Sequence, residues 1–138
     1  MNDLKKKILA EIENIHAVLK EMPDYQKLPS LSTLEIAGVA ALLHSFYNGI
    51  ENVLKQILKD KNIKVEKTES WHKDLVNLSV SKNIISKETS QNFQKYLAFR
   101  HYFSHAYAIE LHSERLEDLV HNVQKTFNDF YEDISNYL

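Results

Sequence analysis

Three side chains with complementary chemistry lie close together near position 100. Segment 100–107 reads RHYFSHAY, in which Arg100, His105 and Tyr107 follow the spacing R-x4-H-x-Y. A guanidinium carries a permanent positive charge, an imidazole transfers protons near neutral pH, and a phenol donates or accepts a hydrogen bond. Together, these groups are the equipment for handling a phosphodiester without a metal ion.

The helical phase of this segment places a charge where an apolar residue is expected. Phe93, Tyr96 and Leu97 form an apolar stripe, and the next positions in phase are 100, 103, 104 and 107. Arg100 therefore falls on the packed stripe, where an unpaired charge is costly and needs an acidic partner, a water-filled cleft or an anionic ligand. Alternatively, the arginine stem packs while its head reaches solvent or pairs with a glutamate.

The motif residues do not all share one helix face. In a regular helix Arg100 and Tyr107 lie about 20° apart, whereas His105 lies about 140° from Arg100. One straight helix therefore cannot direct both Arg100 and His105 at the same phosphate. Either the helix unwinds between Phe103 and His105, or the two side chains meet across the two-fold axis of a dimer, which would merge two motifs into one basic cleft.

The elements that must position these side chains are predicted to be helices. Two glycines and two prolines in 138 residues leave few turns, which argues against a β-rich fold. The apolar periodicity predicts an all-α, up-and-down bundle of four long helices plus one short helix, in a single domain of residues 1–138. The predicted helices cover residues 3–22, residues 33–59, a short stretch from Trp71, a stretch from Ser86 into the motif, and a stretch from Ser113 to the C-terminus.

Serine residues mark several of the predicted helix starts. Ser32 and Glu35 have capping-box spacing, and Ser86 and Ser90 surround the start of the motif helix. Caps are also expected at Ser70 and Ser113.

Two helical surfaces allow more than one interpretation. The second helix carries small residues where another helix could approach, within this chain or in a dimer: Ala37, Gly38, Ala40 and Ala41. The last helix has apolar residues in near-heptad order, which suits packing in a bundle or a coiled-coil seam: Leu116, Leu119, Val123, Phe127, Phe130, Ile134 and Tyr137.

Other residues are secondary candidates for a site. His101 and His105 share a helix face at the i, i+4 spacing that can hold a metal, but a closed site needs further ligands, so no metal is predicted. Trp71-His72-Lys73 begins a helix, where His72 and Lys73 beside free backbone N–H groups would suit an anion; the alternative is a surface cap with Trp71 in the core. Ser104, His72 and Lys73 are therefore candidate contacts to phosphate or substrate. Basic residues at 5–7 and 55–67 cluster weakly, as on solvated faces.

Composition limits the remaining classes of function. The absence of cysteine excludes disulfides, thiolate zinc sites and a cysteine nucleophile, and it fits the reducing cytoplasm. No cofactor is predicted, since both glycines are mid-helix and no glycine-rich phosphate loop exists. No signal peptide and no membrane-spanning stretch of about 18 apolar residues is expected. With a net charge of −2, a nucleic-acid partner would need a local basic patch or a dimer cleft.

The motif, its place at a helix end and the helical plan resemble the HEPN ribonucleases, and in particular the HepT toxins, whose pattern includes the trailing tyrosine. The polar residue after the arginine, His101, also fits. The resemblance extends over most of the chain in architecture and over eight residues in specific detail. It implies a helical bundle that dimerises, with possible higher-order assembly, so that two motifs line a shared cleft.

The resemblance also implies an activity and a partner. Arg100 would stabilise the scissile phosphate of RNA, His105 would act as general base or acid during attack by the 2′-hydroxyl, and His101 would assist by hydrogen bonding. The product would end in a 2′,3′-cyclic phosphate. HepT-like toxins pair with a minimal nucleotidyltransferase antitoxin, which makes Tyr107 a candidate for modification with AMP; otherwise Tyr107 packs or forms a hydrogen bond.

Two other functions stay open at the level of sequence. One is a non-catalytic nucleotide-binding protein that serves as the substrate-binding partner of a nucleotidyltransferase. The other is a helical dimerisation module without a ligand, which leaves the charge of Arg100 on a packed stripe unexplained. Retention of both Arg100 and His105 favours the endoribonuclease.

Overall fold

The computed structural model describes residues 3–138, which form helices and contain no β-strand. The five α-helices are α1 (Asp3–Glu21), α2 (Thr33–Asp60), α3 (Trp71–Ser81), α4 (Lys87–His105) and α5 (Ser113–Asp133). Short 3-10 turns cover Tyr25–Ser30, Ala108–Glu110 and Ser135–Tyr137. The all-helical class and the plan of four long helices plus one short helix are therefore confirmed for this part of the chain.

Serine side chains begin two of the long helices, as the sequence predicts. The Ser32 Oγ accepts a hydrogen bond from the Glu35 N–H at 3.1 Å, and the Ser32 N–H donates to the Glu35 carboxylate at 2.9 Å. This reciprocal pair is a capping box that starts α2. The Ser86 Oγ accepts from the Thr89 N–H at 3.0 Å and starts α4.

The other two predicted caps differ from the prediction in part or in full. Ser70 holds the N-cap position of α3 as predicted, but its hydroxyl donates to the Asp74 carboxylate at 3.1 Å and does not cap a backbone N–H. Ser113 is the first helical residue of α5, and His112 holds the cap position without a side-chain hydrogen bond. A nearby carboxylate in one case and a shift of one residue in the other are local details that the sequence pattern does not resolve.

Helix α2 is the central element, since it contacts α1, α3, α4 and α5. Aromatic residues of α4 pack on it, with Tyr96 against Phe46 and Phe93 against Tyr47, and Phe130 of α5 packs against Phe93 in turn. The Tyr96 hydroxyl donates to the Leu119 carbonyl at 2.7 Å, which satisfies the one polar atom of this side chain and fixes α4 against α5. Pairs along α2 and α4 run in opposite directions, so the C-terminal end of α4 lies beside the N-terminal half of α2.

The apolar stripe of α5 packs within the chain. Leu116, Leu119, Val123, Phe127 and Phe130 are all buried. Of the two arrangements that suit a near-heptad stripe, packing inside a helical assembly is therefore the one observed.

The small residues of α2 divide between the interior and the surface. Ala40 is buried, whereas Gly38 and Ala41 are exposed. The close approach of another helix occurs further along, where Ile15 of α1 packs over Gly49. Among residues 3–138, no helix has the length and apolar character needed to cross a bilayer.

Replacement of Gly49 by alanine is expected to destabilise the protein, because the new Cβ would lie 2.5 Å from the Cγ1 of Ile15. Relief of that overlap costs about 1–3 kcal/mol, which offsets the ~1 kcal/mol that alanine gains over glycine in a helix. Gly38 is the matched control, since a Cβ there meets nothing within 4 Å. Urea denaturation should show Gly38→Ala more stable than wild type and Gly49→Ala less stable; equal stabilities would contradict the close α1–α2 contact.

Candidate active site

Six of the predicted site residues line one cavity of about 620 Å³ between α4 and the segment that leads into α3. We call it the motif cavity. Its lining also includes Glu69, Trp71, Gln94, Leu97 and Ala98. The predicted residues in it are Arg100, His101, Ser104, His105, His72 and Lys73. The sequence placed these residues in two segments more than 20 positions apart, and the packing of α3 on α4 brings the segments together.

His105 is the last residue of α4 and is held by its own helix. Its Nδ1 lies 3.1 Å from the His101 carbonyl oxygen and 3.0 Å from the Ser104 Oγ. A hydrogen on Nδ1 donated to that carbonyl leaves Nε2 unprotonated and able to accept a proton. The His101 ring packs against the His105 ring, with 4.6 Å between centroids. His105 is therefore an exposed imidazole with a defined orientation.

Arg100 lies on the flank of α4 that faces α2, and it is half-buried. Its Nε is buried and has no hydrogen-bond partner within residues 3–138. No acidic residue of the described chain forms a salt bridge with this guanidinium. The prediction that position 100 places a charge on the packed stripe is confirmed, and the alternative in which the head pairs with a glutamate is not observed.

Two residues of α2 next to Arg100 also hold buried polar atoms without a regular hydrogen bond. They are the His44 Nδ1 and the Tyr47 hydroxyl. Burial, followed by the positive charges of Arg100 and His72, lowers the pKa of His44. Burial, followed by the negative charge of Glu51, raises the pKa of Tyr47, and the charge of Arg100 opposes that shift. His44 and Tyr47 thus lie within electrostatic reach of charged groups from three helices.

Glu51 is a residue of the candidate site that the sequence pattern did not predict. It lies on α2 with only 1% of its surface exposed, although it is a carboxylate. Both of its oxygens lie 2.9 Å from the Nδ1 of His72, whose side chain is 18% exposed and lines the motif cavity. The available signal was an acidic residue between Ile50 and Val53 on the apolar face of α2. We call His44, Tyr47, Glu51, His72 and Arg100 the buried polar cluster.

Trp71 and Lys73 flank His72 in the sequence. Trp71 is half-buried and packs against the core, with its ring 3.8 Å from that of His72. Lys73 is exposed at the edge of the motif cavity. The first turn of α3 therefore combines a half-buried tryptophan with two basic side chains that face the cavity.

Tyr107 lies apart from the motif cavity, contrary to the prediction that it follows Arg100 on one stripe. Helix α4 ends at His105, because Ala106 adopts an extended conformation with φ −90° and ψ 146°. Tyr107 is thus outside the helix, and 78% of its surface is exposed. Its N–H donates to the Glu110 carboxylate at 2.8 Å, so its backbone is anchored while the ring is accessible.

The helix also does not unwind between Phe103 and His105, which removes one of the two routes considered for bringing the motif together. Arg100 and His105 nevertheless line the same cavity, because Arg100 lies on the flank of α4 and His105 lies at the C-terminal end of that helix. Within the described residues, no group of three His, Asp or Glu side chains converges in a way that could hold a metal ion.

A second cavity, of about 430 Å³, adjoins the motif cavity at Trp71, which lines both. Four lysines surround it, and no acidic residue contributes to its lining: Lys55, Lys59, Lys64 and Lys67. Lys55 places its Nζ 4.3 Å from the centre of the Trp71 ring. We call this the lysine cleft. The sequence showed these lysines only as a weak cluster typical of a solvated face.

The lowered pKa of His44 predicts a pH dependence of stability. Because the folded state holds this imidazole neutral while the unfolded state protonates it near pH ~6.5, the free energy of unfolding should decrease as the pH falls below that value. His44→Asn should show a smaller decrease between about pH 7 and pH 5. Urea denaturation at several pH values measures the difference, and His16→Asn, an exposed histidine, is the control. Identical pH slopes for His44→Asn and wild type would contradict the assignment.

Comparison with known proteins identifies the family of this chain. A family model described as HepT-like protein matches residues 38–138, from within α2 to the C-terminus. No curated protein and no solved structure matched the chain. The matched range contains all residues of the motif cavity, the buried polar cluster and the lysine cleft, and it covers well over half of the sequence. The chain therefore belongs to the HepT-like protein family.

Proposed function

We propose that this protein is a metal-independent endoribonuclease toxin that cleaves RNA by attack of a 2′-hydroxyl group. The observation that carries the proposal is the motif cavity, where the always-charged Arg100 and the oriented imidazole of His105 face the same space. The HepT-like family is generally associated with ribonuclease activity. The arrangement contains a cation for the phosphate and a group for proton transfer, which metal-free cleavage requires.

In this proposal each motif residue has a distinct role. The Arg100 guanidinium binds the scissile phosphate and stabilises the negative charge that develops on its oxygens. The Nε2 of His105 removes the proton of the 2′-hydroxyl, because Nδ1 is engaged by the His101 carbonyl and the Ser104 hydroxyl. His101 thus assists by holding the base, and Ser104 and Lys73 are contacts at the edge of the cavity.

RNA is the substrate that suits the charge distribution. The chain has a net charge of −2, so its overall field does not attract nucleic acid. The lysine cleft supplies the local positive charge that is needed, directly beside the motif cavity. A single strand that places one phosphate at Arg100 would have its neighbouring phosphates next to the lysines.

We further propose that the active unit is a homodimer. Leu34 and Ile109 are 83% and 76% exposed, an unusual state for large apolar side chains, and Tyr107 is equally exposed. The turn that carries Ile109 contacts α2, the helix on which Gly38 and Ala41 are open to solvent. A two-fold axis near this surface would cover the apolar side chains and bring two motifs together.

The proposed partner is a minimal nucleotidyltransferase antitoxin that attaches AMP to Tyr107. The exposed phenol on an anchored backbone is accessible to a modifying enzyme. The added phosphate brings negative charge close to the end of α4, where it would compete with RNA for the positive groups. Cytoplasmic RNA would be the target in this scheme.

Removal of either motif side chain is expected to abolish cleavage. With EDTA present, Arg100→Ala should lower the rate about 10³-fold through loss of charge stabilisation, and His105→Ala should lower it by about 10²–10⁴-fold. The measurement is cleavage of labelled transfer, ribosomal and messenger RNA by protein whose mass shows an unmodified Tyr107. His121→Ala removes an exposed histidine outside the motif cavity and should retain wild-type activity.

The same experiment separates the competing functions. A wild-type protein that binds mononucleotides but cleaves none of these RNAs would support the nucleotide-binding partner of a nucleotidyltransferase. A protein that neither binds nor cleaves would support a dimerisation module. Cleavage that is lost on addition of EDTA would contradict a metal-independent mechanism.

Co-expression with a nucleotidyltransferase encoded beside this chain should add the mass of one or more AMP groups to the protein. Peptide mass spectrometry should locate the group on Tyr107, and Tyr107→Phe should stay unmodified and toxic. Tyr131 is the matched control, since it is also an exposed tyrosine but lies on α5, away from the motif. Modification of Tyr131→Phe at the wild-type level is expected; AMP on another residue in the wild-type protein would contradict the assignment of Tyr107.

A further inference from the structure

The contact between Glu51 and His72 is unusual for a purely structural ion pair. Glu51 is almost fully buried, and removal of a carboxylate from water is costly even when it has a partner. The partner is an imidazole at the wall of the motif cavity. An apolar side chain at position 51 would continue the apolar face of α2 without that cost, so stability alone does not account for this glutamate.

The surroundings of the Glu51–His72 pair add a further free-energy cost to the folded state. Two buried side-chain atoms of the cluster, the His44 Nδ1 and the Arg100 Nε, have no hydrogen-bond partner in the described chain, and the Tyr47 hydroxyl has only a contact with Glu51 that falls short of regular hydrogen-bond geometry. Unsatisfied polar atoms are rare in folded proteins and tend to concentrate where function imposes them. Their concentration beside one wall of the motif cavity indicates that this wall is built for a ligand or a reaction.

The geometry of the pair defines what His72 can do. Glu51 accepts the Nδ1 hydrogen, which fixes the ring orientation and leaves Nε2 as the nitrogen free to serve the cavity. When His72 carries both ring protons, the pair is neutral overall, and Glu51 has the cation that a buried carboxylate needs. In that state the ring keeps its contact with Glu51 through Nδ1 and has its second N–H available for the cavity.

Cleavage by a 2′-hydroxyl group requires two proton transfers, and His105 supplies one. As the 2′-oxygen bonds to phosphorus, the bond from phosphorus to the 5′-oxygen breaks, and that oxygen needs a proton to leave as a hydroxyl group. Arg100 does not release its proton, and His101, the other imidazole of the motif, packs its ring against His105 and lies on the same side of the cavity as the proposed base. His72 lines the same cavity as His105, on the wall formed by α3.

On the basis of the proposed ribonuclease activity, we infer that His72 is the general acid that protonates the 5′-oxygen leaving group, and that Glu51 is the positioning residue that orients it. The proton of the 2′-hydroxyl passes to the His105 Nε2, and the proton of the His72 Nε2 passes to the leaving oxygen. The products are a 2′,3′-cyclic phosphate and a free 5′-hydroxyl. Exchange of protons with water then restores both histidines.

A substrate with an altered leaving group tests this role directly. The cleavage site is first mapped in an oligoribonucleotide, and a second oligonucleotide is then made with sulfur in place of the bridging 5′-oxygen at that linkage. A thiolate leaves without a proton, so the altered linkage does not need a general acid. His72→Gln keeps a donor for Glu51 but cannot transfer a proton, and His121→Gln is the control.

The expected result is a different response of the two substrates. His72→Gln should lose about 10²-fold or more on the natural linkage and stay within a few-fold of wild type on the sulfur linkage. His105→Ala should lose activity on both. Glu51→Gln should lose activity on the natural linkage in the same sense, because a neutral amide does not stabilise the doubly protonated imidazolium that donates the proton.

The outcomes distinguish this inference from the proposed function. If Arg100→Ala and His105→Ala are inactive but His72→Gln cleaves the natural linkage like wild type, the ribonuclease stands and the acid role of His72 is wrong. Equal losses of His72→Gln on both linkages would also overturn it, since the residue would then be structural. Circular dichroism and thermal unfolding identify any variant that fails to fold. The double variant Glu51→Gln, His72→Gln removes the buried charge, so it should fold. It should cleave the sulfur linkage but lose activity on the natural linkage.

Discussion

A buried carboxylate organises the region of this molecule around the motif cavity. Glu51 projects from the central helix α2 into a position where an apolar side chain would be expected, and it holds His72 of α3 by the Nδ1 of the ring. Arg100 of α4 lies in the same neighbourhood, close enough for its charge to shift the pKa values of His44 and Tyr47. Three helices thus meet around a carboxylate, an imidazole and a guanidinium in the interior, where polar interactions are strong and their geometry is narrowly defined.

The second determinant is the end of α4. The helix carries His105 to its last turn and then stops, since Ala106 is extended. This boundary separates two surfaces that the motif joins in sequence: the imidazole lines the motif cavity, while Tyr107 stands on the outside, anchored by Glu110. One short segment therefore presents two separate surfaces, one for the proposed cleavage and the other for the proposed modification.

Much of the fold could be predicted from the sequence because helical periodicity and capping are local properties. The capping box at Ser32 and the number of long helices followed from such patterns. The site was predictable where its residues are adjacent, as in Arg100 to His105. Glu51 was not, because its role depends on the meeting of α2 and α3, residues distant in sequence, and Tyr107 was misplaced because one extended residue ends the helical phase. The lysine cleft was hidden for the same reason, since only folding gathers those lysines around a cavity.

The central claim is that the motif cavity cleaves RNA through the 2′-hydroxyl group without a metal. The most direct measurement uses one oligoribonucleotide and its copy with a single 2′-deoxynucleotide 5′ to the mapped scissile bond, each incubated with unmodified protein and EDTA. The account predicts cleavage of the first, with a 2′,3′-cyclic phosphate identified by mass spectrometry, and no cleavage of the second at that bond. Equal cleavage of both, or a product with a 5′-phosphate, would show that water and not the 2′-oxygen attacks, and would contradict the account.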